Sequence, residues 1–196
     1  MTLKEMAKPM AAQPVADGSL ISAVRDALIS NALPGELDGF TQEDREEAAE
    51  FVVDVGARRK PGELALEMKS IGGEVGKRRM RLAIVNDDMP FLVDSVAGAI
   101  AGRELGIHRL LHPVVKATRD DKGKLTAIGD GKPESIIYIE LDRADARRRQ
   151  ELVEELRAVL TNVRNAVTDW RDMLACMEAD AEVLDGPDDE GAALLR

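Results

Sequence analysis

The sequence predicts an α+β protein in which an antiparallel sheet carries two helices on one face, with two further helices before it. Three observations lead to this class. From Glu63 onward, strand-like and helix-like patterns follow one another in the order β-β-α-β-β-α. Residues 81–86 are rich in Leu, Ile and Val, the composition of a buried strand. A long helical stripe of apolar residues begins after Ala144, and an antiparallel sheet with two helices on one face accommodates all of these elements.

The composition divides the chain into four regions. Residues 1–17 are predicted to be a flexible lead, and residues 18–60 a helical N-terminal segment. Residues 61–178 hold the α+β domain. Residues 179–196 are rich in Asp and Glu around a Gly-Pro pair, which predicts an acidic linker or tail.

Two helices are predicted in the N-terminal segment. Residues 19–31 form the first, with Ser19 as the N-cap and leucine, isoleucine and valine on one face. The second begins at Thr41, whose spacing from Asp44 is that of a capping pair, and runs to about Ala57.

Four further segments complete the predicted domain around residues 81–86. Residues 63–68 alternate polar and apolar side chains, which indicates a half-buried strand. Residues 107–119 predict a strand that is kinked or lies at an edge, because Pro113 cannot donate a ladder hydrogen bond. A longer strand is predicted at residues 135–141, and a short additional strand, not counted in the order given above, at residues 125–128.

The stretch that follows residues 81–86 is the candidate ligand site. Pro90 lacks an N–H and has a preset φ, so it fits the first turn of a helix, which Asp88 is placed to cap. One interpretation is that the acidic residues only cap and turn the chain. The other is an amino-acid site, in which helix amides hold a carboxylate and Asp87 or Asp88 meets the ammonium group. Its residues would be Asn86, Asp87, Asp88, Met89 and Pro90.

Charge and composition argue against several classes of partner. The formal net charge is −10, from 27 basic and 37 acidic side chains, and such a surface repels nucleic acid and anionic membranes. Cys176 is the single cysteine, so no thiolate metal cluster is predicted. His108 and His112 would lie about 13 Å apart on a strand, too far to share one ion. No apolar run suits a signal peptide or membrane span, so we expect a cytoplasmic protein without a bound metal.

The most specific motif of the sequence is the block at residues 86–95, Asn-Asp-Asp-Met-Pro-Phe-Leu-Val-Asp-Ser. Further motifs are His108, His112-Pro113, Glu134-Ser135 and Asp169-Trp170-Arg171. Together, over about residues 63–177, they resemble the N-terminal region of the large bacterial NAD-specific glutamate dehydrogenases. The pattern of Asp88, Pro90 and Leu92 also resembles ACT domains in general, which often have glycine where this chain has Phe91.

The resemblance implies a non-catalytic, amino-acid-sensing module with an ACT-like, ferredoxin-like fold. In that family the catalytic domain lies far downstream, binds NAD, and oxidatively deaminates L-glutamate to 2-oxoglutarate. Expected partners are an amino-acid effector, other domains of the same enzyme, and further copies of the chain in a homo-oligomer. This chain itself is expected to hold no cofactor, since Gly72, Gly73 and Gly76 do not supply a dinucleotide fingerprint.

Two alternatives stay open. A purely architectural module would assemble the large enzyme without binding a ligand. It is favoured by Phe91, whose ring can fill the space that glycine leaves, and by the apolar end of the last helix, from Val167 to Met177. A self-sufficient small enzyme is the third hypothesis, although no nucleophile or acid–base pair is evident in the sequence.

Overall fold

The computed structural model describes residues 18–30, 32–72, 78–184, 190, 191 and 193. The predicted lead at residues 1–17, Asn31, and the glycines Gly73 and Gly76 lie outside this part of the chain. The helices are α1 (Gly18–Ser30), α2 (Gln42–Gly56), α3 (Leu92–Gly102) and α4 (Ala146–Leu184). The strands are β1 (Ala65–Ile71), β2 (Arg79–Asp87), β3 (Ile107–Leu111), β4 (Val114–Arg119), β5 (Leu125–Ile128) and β6 (Lys132–Leu141).

The strands form one sheet in the order β1-β2-β6-β4-β5, with every neighbouring pair antiparallel. β3 and β4 both pair with β6, one along each half of its length, and His112 and Pro113 separate them. The predicted kink is therefore confirmed, because the proline interrupts the ladder. β1 lies at the edge beside β2, where the fourth strand of a ferredoxin-like sheet would run.

Each face of the sheet is covered by a pair of helices. α3 and α4 pack on the face that carries Leu82 and Ile84 of β2. α1 and α2 pack on the opposite face, against Ala83 and Val85. Successive side chains of β2 point to opposite faces of the sheet, so the strand contributes to two aliphatic cores. Nearly the whole strand is therefore buried. The predicted α+β class, an antiparallel sheet with two helices on one face after two leading helices, is confirmed.

The ends of the helices and of β1 agree only in part with the predicted ends. The capping box of α2 is confirmed, with Thr41 and Asp44 bonding to each other's backbone N–H. α1 starts at Gly18, one residue before the predicted N-cap Ser19. β1 begins two residues later than predicted and extends to Ile71, since its ends follow the register with β2 rather than its own alternation.

α4 is longer than its buried stripe. Leu152, Leu156 and Leu160 are buried against the sheet and α3. The helix nevertheless continues through Asp180, predicted to belong to a solvated tail, and ends at Leu184. Among the described residues, no helix has the length and apolar character that crossing a membrane requires.

Candidate functional site

The turn between β2 and α3 differs from the predicted helix start. α3 begins at Leu92, and the first helical hydrogen bond runs from the Ser95 N–H to the Phe91 carbonyl. The prediction that Asp88 caps this helix is therefore wrong. Phe91 occupies the N-cap position with φ of 69° and gives no side-chain cap. Pro90 and Phe91 form a turn before the helix, which places Asp88 too early in the chain to reach the first helical amides.

Phe91 adopts the left-handed conformation that favours glycine. The ring does not fill an internal space, because Phe91 is 65% exposed. The expectation that this phenylalanine fills a ligand space at the turn is therefore not met.

Asn86 and Asp87 are held by arginines from distant segments. The Asp87 Oδ1 atom accepts hydrogen bonds from Nη1 and Nη2 of Arg59, both at 2.9 Å. Its Oδ2 atom accepts from the Gly62 N–H at 2.8 Å and from Arg164 Nη1 at 2.6 Å. Arg164 also donates to Oδ1 of Asn86, a side chain that is almost fully buried. These two residues of the predicted site join α4 to the sheet.

The arginine network extends across the sheet through Glu134. Arg59 is 2% exposed and lies 2.7 Å from Glu134 Oε1, while Arg119 binds both oxygens of the same carboxylate at 2.7 and 2.8 Å. Burial raises the pKa of Glu134, but hydrogen bonds from Arg119 and Arg59 outweigh it and hold the pKa below its usual value. We refer to Arg59, Asp87, Arg119, Glu134 and Arg164 as the turn cluster.

Asp87 shows the same balance of effects. Burial raises its pKa, yet the hydrogen bonds from Arg164, the Gly62 N–H and Arg59 together lower it. Its carboxylate stays ionised at neutral pH, and the protein itself already supplies four donors. Asp87 therefore has little capacity left to bind a ligand ammonium group.

Asp88 differs from its neighbour. It is exposed, and its backbone N–H donates to the Pro133 carbonyl at 3.4 Å. Its charge faces His112, whose Nε2 atom lies 2.7 Å from Ser135 Oγ. Burial lowers the pKa of His112, and Asp88 only partly opposes this effect. Asp88 and the half-buried Met89 are the accessible members of the predicted site before Pro90.

The two histidines of the sequence do not meet. His108 lies in β3 and its Nε2 is 2.7 Å from Oδ1 of Asp142, whereas His112 bonds to Ser135. In the part of the chain that the structure describes, no group of three or more His, Cys, Asp or Glu side chains is arranged to hold a metal ion.

A second polar region contains none of the predicted ligand-site residues. A cavity of about 690 Å³ lies at the opposite end of β2 from the turn, on the side of the sheet that α2 covers. Arg79 and Arg81 alternate with apolar residues on β2, and this spacing places both on the same face of the sheet. With Arg78, Arg109 and Glu140 they line what we call the arginine cavity.

The sheet order, the helix pairs and the β2–α3 turn together define an ACT-like α+β module. The chain belongs to the family described as the ACT1 domain of glutamate dehydrogenase, whose model matches residues 25–156.

Two curated relatives are similar to this chain. An NAD-specific glutamate dehydrogenase of Halomonas elongata is 34% identical over 112 residues, which cover 53% of this chain and 7% of that protein. An NAD-specific glutamate dehydrogenase of Pseudomonas aeruginosa is 36% identical over 100 residues, covering 47% of this chain and 6% of that protein. The chain thus spans only a small part of the length of these relatives.

Proposed function

We propose that this chain is a non-catalytic regulatory module of an NAD-specific glutamate dehydrogenase and that it senses an amino acid. The match of residues 25–156 to the glutamate dehydrogenase ACT1 family carries this proposal. The parent enzyme would oxidatively deaminate L-glutamate to 2-oxoglutarate, with NAD bound in a catalytic domain elsewhere. The effector, the other domains of that enzyme and further copies of the chain would be its partners.

The β2–α3 turn is the proposed effector site. The first turn of a helix leaves backbone N–H groups without intrahelical partners, and no side chain caps α3. These amides can receive the carboxylate of an amino acid, while the exposed carboxylate of Asp88 can receive its ammonium group. Met89 and Pro90 would contact the ligand, and Asn86 and Asp87 would hold the turn in place through Arg164.

A thermal-shift titration with a panel of amino acids tests this proposal, with NAD and nucleotides as controls. A specific ligand at about a hundred times its dissociation constant adds roughly 2.7 kcal/mol to the free energy of unfolding. For a chain of this size that corresponds to a rise in Tm of about 5–10 °C. Asp88→Ala should abolish the response, whereas Asp121→Ala, in an exposed turn elsewhere, should preserve it. An unchanged response in Asp88→Ala would exclude the turn as the site.

One observation favours an architectural role as the second candidate. The distal half of α4 exposes Trp170, Met173, Leu174 and Met177, which recur at helical spacing and are 59%, 53%, 40% and 37% exposed. Such an apolar stripe fits a contact with another module or a second copy. This candidate predicts a dimer in light scattering and no thermal response to any amino acid in the panel.

A further inference from the structure

We propose that the arginine cavity binds a small organic carboxylate, at a site separate from the β2–α3 turn. The cavity opens where β2 and β3 begin and where β6 ends. Along β2, Arg79 and Asp87 are eight residues apart, or about 26 Å at roughly 3.3 Å per residue. This inference goes beyond the proposed amino-acid response and does not depend on it.

Three neighbouring strands place alternating charges beside one another in the cavity. Glu140 of β6 pairs in register with Arg81 of β2 on one side and with Arg109 of β3 on the other. All three side chains are nearly buried. The Glu140 side chain is 7% exposed, that of Arg81 is 4% exposed and that of Arg109 is 8% exposed. Phe40 covers Arg109, whose guanidinium carbon lies 4.1 Å from the ring centroid.

The protein compensates these guanidinium groups only in part. Arg81 has one short ion pair, 2.7 Å from Glu47, and its other contact with a carboxylate, Asp44, is 3.8 Å. Arg109 lies 3.5 Å from Glu140 and donates to the Asp38 carbonyl at 3.2 Å. The Nε atoms of both arginines are buried without a hydrogen-bond partner. Both Nε atoms are shielded from solvent, so an anion in the cavity would meet the Nη groups instead, and Arg81 Nη2 lies 3.8 Å from Asp44.

The mouth of the cavity adds further positive charge. Arg79 is 47% exposed, and its ion pair with Glu140 is long, at 3.7 Å. Arg78 is exposed and has no hydrogen bond or ion pair with any of the described residues. Both guanidinium groups are therefore available to a ligand that enters from solvent.

The lining carboxylates, in contrast, already accept hydrogen bonds from the protein. Asp44 accepts from Thr41, and Glu47 accepts from Arg81. Glu140 accepts from the Tyr138 hydroxyl at 2.9 Å. Asp142 accepts from the Gly106 N–H and contacts His108. The cavity thus has more unpaired hydrogen-bond donors than unpaired acceptors, which favours an anion over a cation.

The charge pattern selects a carboxylate among anions. A planar guanidinium matches the two oxygens of a carboxylate, and it matches phosphate equally well. Four acidic side chains nevertheless line the same cavity, Asp44, Glu47, Glu140 and Asp142, and they oppose a compact dianion such as phosphate. A dicarboxylate spreads its charge, and Arg79 and Arg81 lie about 6.6 Å apart along one face of β2, at roughly 3.3 Å per residue.

Isothermal titration calorimetry of the full chain with succinate tests the inference, at constant ionic strength and in a buffer without carboxylates. We expect saturable binding at one site per chain. Inorganic phosphate should bind several-fold more weakly than succinate. The double variant Arg78→Gln/Arg79→Gln should weaken succinate binding about tenfold, since it removes two charge-assisted contacts at a partly exposed site.

Two controls make the result specific. Arg58→Gln/Lys122→Gln removes the same number of positive charges from exposed positions outside the cavity and should leave succinate binding unchanged. Asp88→Ala should also leave it unchanged, so that failure of the β2–α3 turn as an effector site is distinguishable from failure of this site. The unfolding midpoint of each variant reports whether the fold is intact.

Three results would overturn the inference. The first is no saturable succinate binding beyond the effect of chloride at the same ionic strength. The second is phosphate binding as tight as succinate binding or tighter. The third is an equal loss of affinity in the cavity variant and in Arg58→Gln/Lys122→Gln, which would indicate a general charge effect.

Discussion

Replacing Asp87 by asparagine should destabilise the fold, whereas the same replacement of Asp88 should not. Asp87 accepts four hydrogen bonds, three of them from the guanidinium groups of Arg59 and Arg164. An asparagine of the same shape loses the negative charge and presents an NH₂ group to some of those donors. Asp88 has an exposed side chain and contributes to the fold mainly through its backbone N–H.

The magnitude follows from the burial of the partners. Removing one member of a buried ion pair costs about 3–5 kcal/mol, because the other charge is left without compensation. Arg59 is 2% exposed but keeps Glu134 at 2.7 Å, and the Asp87 side chain is 30% exposed, which reduces this cost. We expect Asp87→Asn to lower the free energy of unfolding by about 2–3 kcal/mol. The Asp88→Asn variant should stay within about 0.5 kcal/mol of the original chain.

Urea unfolding at pH 7, followed by circular dichroism, measures both variants. The expected loss for Asp87→Asn corresponds to a decrease in Tm of about 4–12 °C for a chain of this length. Equal destabilisation by the two variants would refute the assignment of Asp87 to the turn cluster and of Asp88 to solvent. A loss below about 0.5 kcal/mol for Asp87→Asn would refute it as well.

Three further predictions concern the core, the turn cluster and one glycine. Leu156→Ala should lower the free energy of unfolding, measured in urea, by about 2–5 kcal/mol. Leu174→Ala, on the exposed half of the same helix, should lower it by less than about 1 kcal/mol. Equal losses would contradict the burial pattern. The pKa of Glu134 is lowered in the folded state, so its stabilisation is present above its unfolded value of 4.5 and is lost as pH falls through the lower folded value. Glu134→Gln should therefore reduce the acid dependence of the unfolding free energy below about pH 5, and an unchanged pH profile would contradict this. Gly123→Ala should lower the free energy of unfolding by about 1 kcal/mol or more. The φ angle of Gly123 is +78°, and an added Cβ atom would lie 2.7 Å from the Arg59 carbonyl oxygen. A thermal melt like that of the original chain would contradict this and show that the backbone can shift there.

Local patterns in the sequence were sufficient for most of the elements. The Thr41–Asp44 pair at the start of α2 is a signal within a few residues, and it is confirmed. The break at Pro113 is likewise a property of one residue, since proline lacks the backbone donor. These features depend on the chain close to them and can therefore be predicted without knowing the fold.

The surroundings of Asp87 could not be predicted in the same way. Arg59 lies 28 residues before it and Arg164 lies 77 residues after it. No periodicity within the strand or helix indicates which distant arginine will reach a given carboxylate. The exposed acid at Asp88 and the paired acid at Asp87 consequently looked equivalent in the sequence.

The arginine cavity carried a signal that the strand pattern obscured. The aliphatic residues of 81–86 dominate the strand pattern, and they indicate burial rather than a polar site. Arg79 and Arg81 occupy alternate positions, and Glu140 is the charged residue at the end of a second apolar strand. Charged residues at alternating positions of central strands indicate a polar site on one face, but the register between β2 and β6 is needed to bring them together.

The separation of β2 and β6 along the chain has a consequence for synthesis on the ribosome. These central strands pair antiparallel, yet β2 ends at Asp87 and β6 is completed only at Leu141. α1 and α2 emerge earlier, but the sheet face that covers them includes Ile136 and Tyr138 of β6. The part of their apolar surface that packs on β6 therefore stays uncovered until residue 141 has left the exit tunnel, and closing so long a loop slows the pairing. A chain arrested before that point should be open to proteases over its whole length, and one arrested well beyond it should be protected.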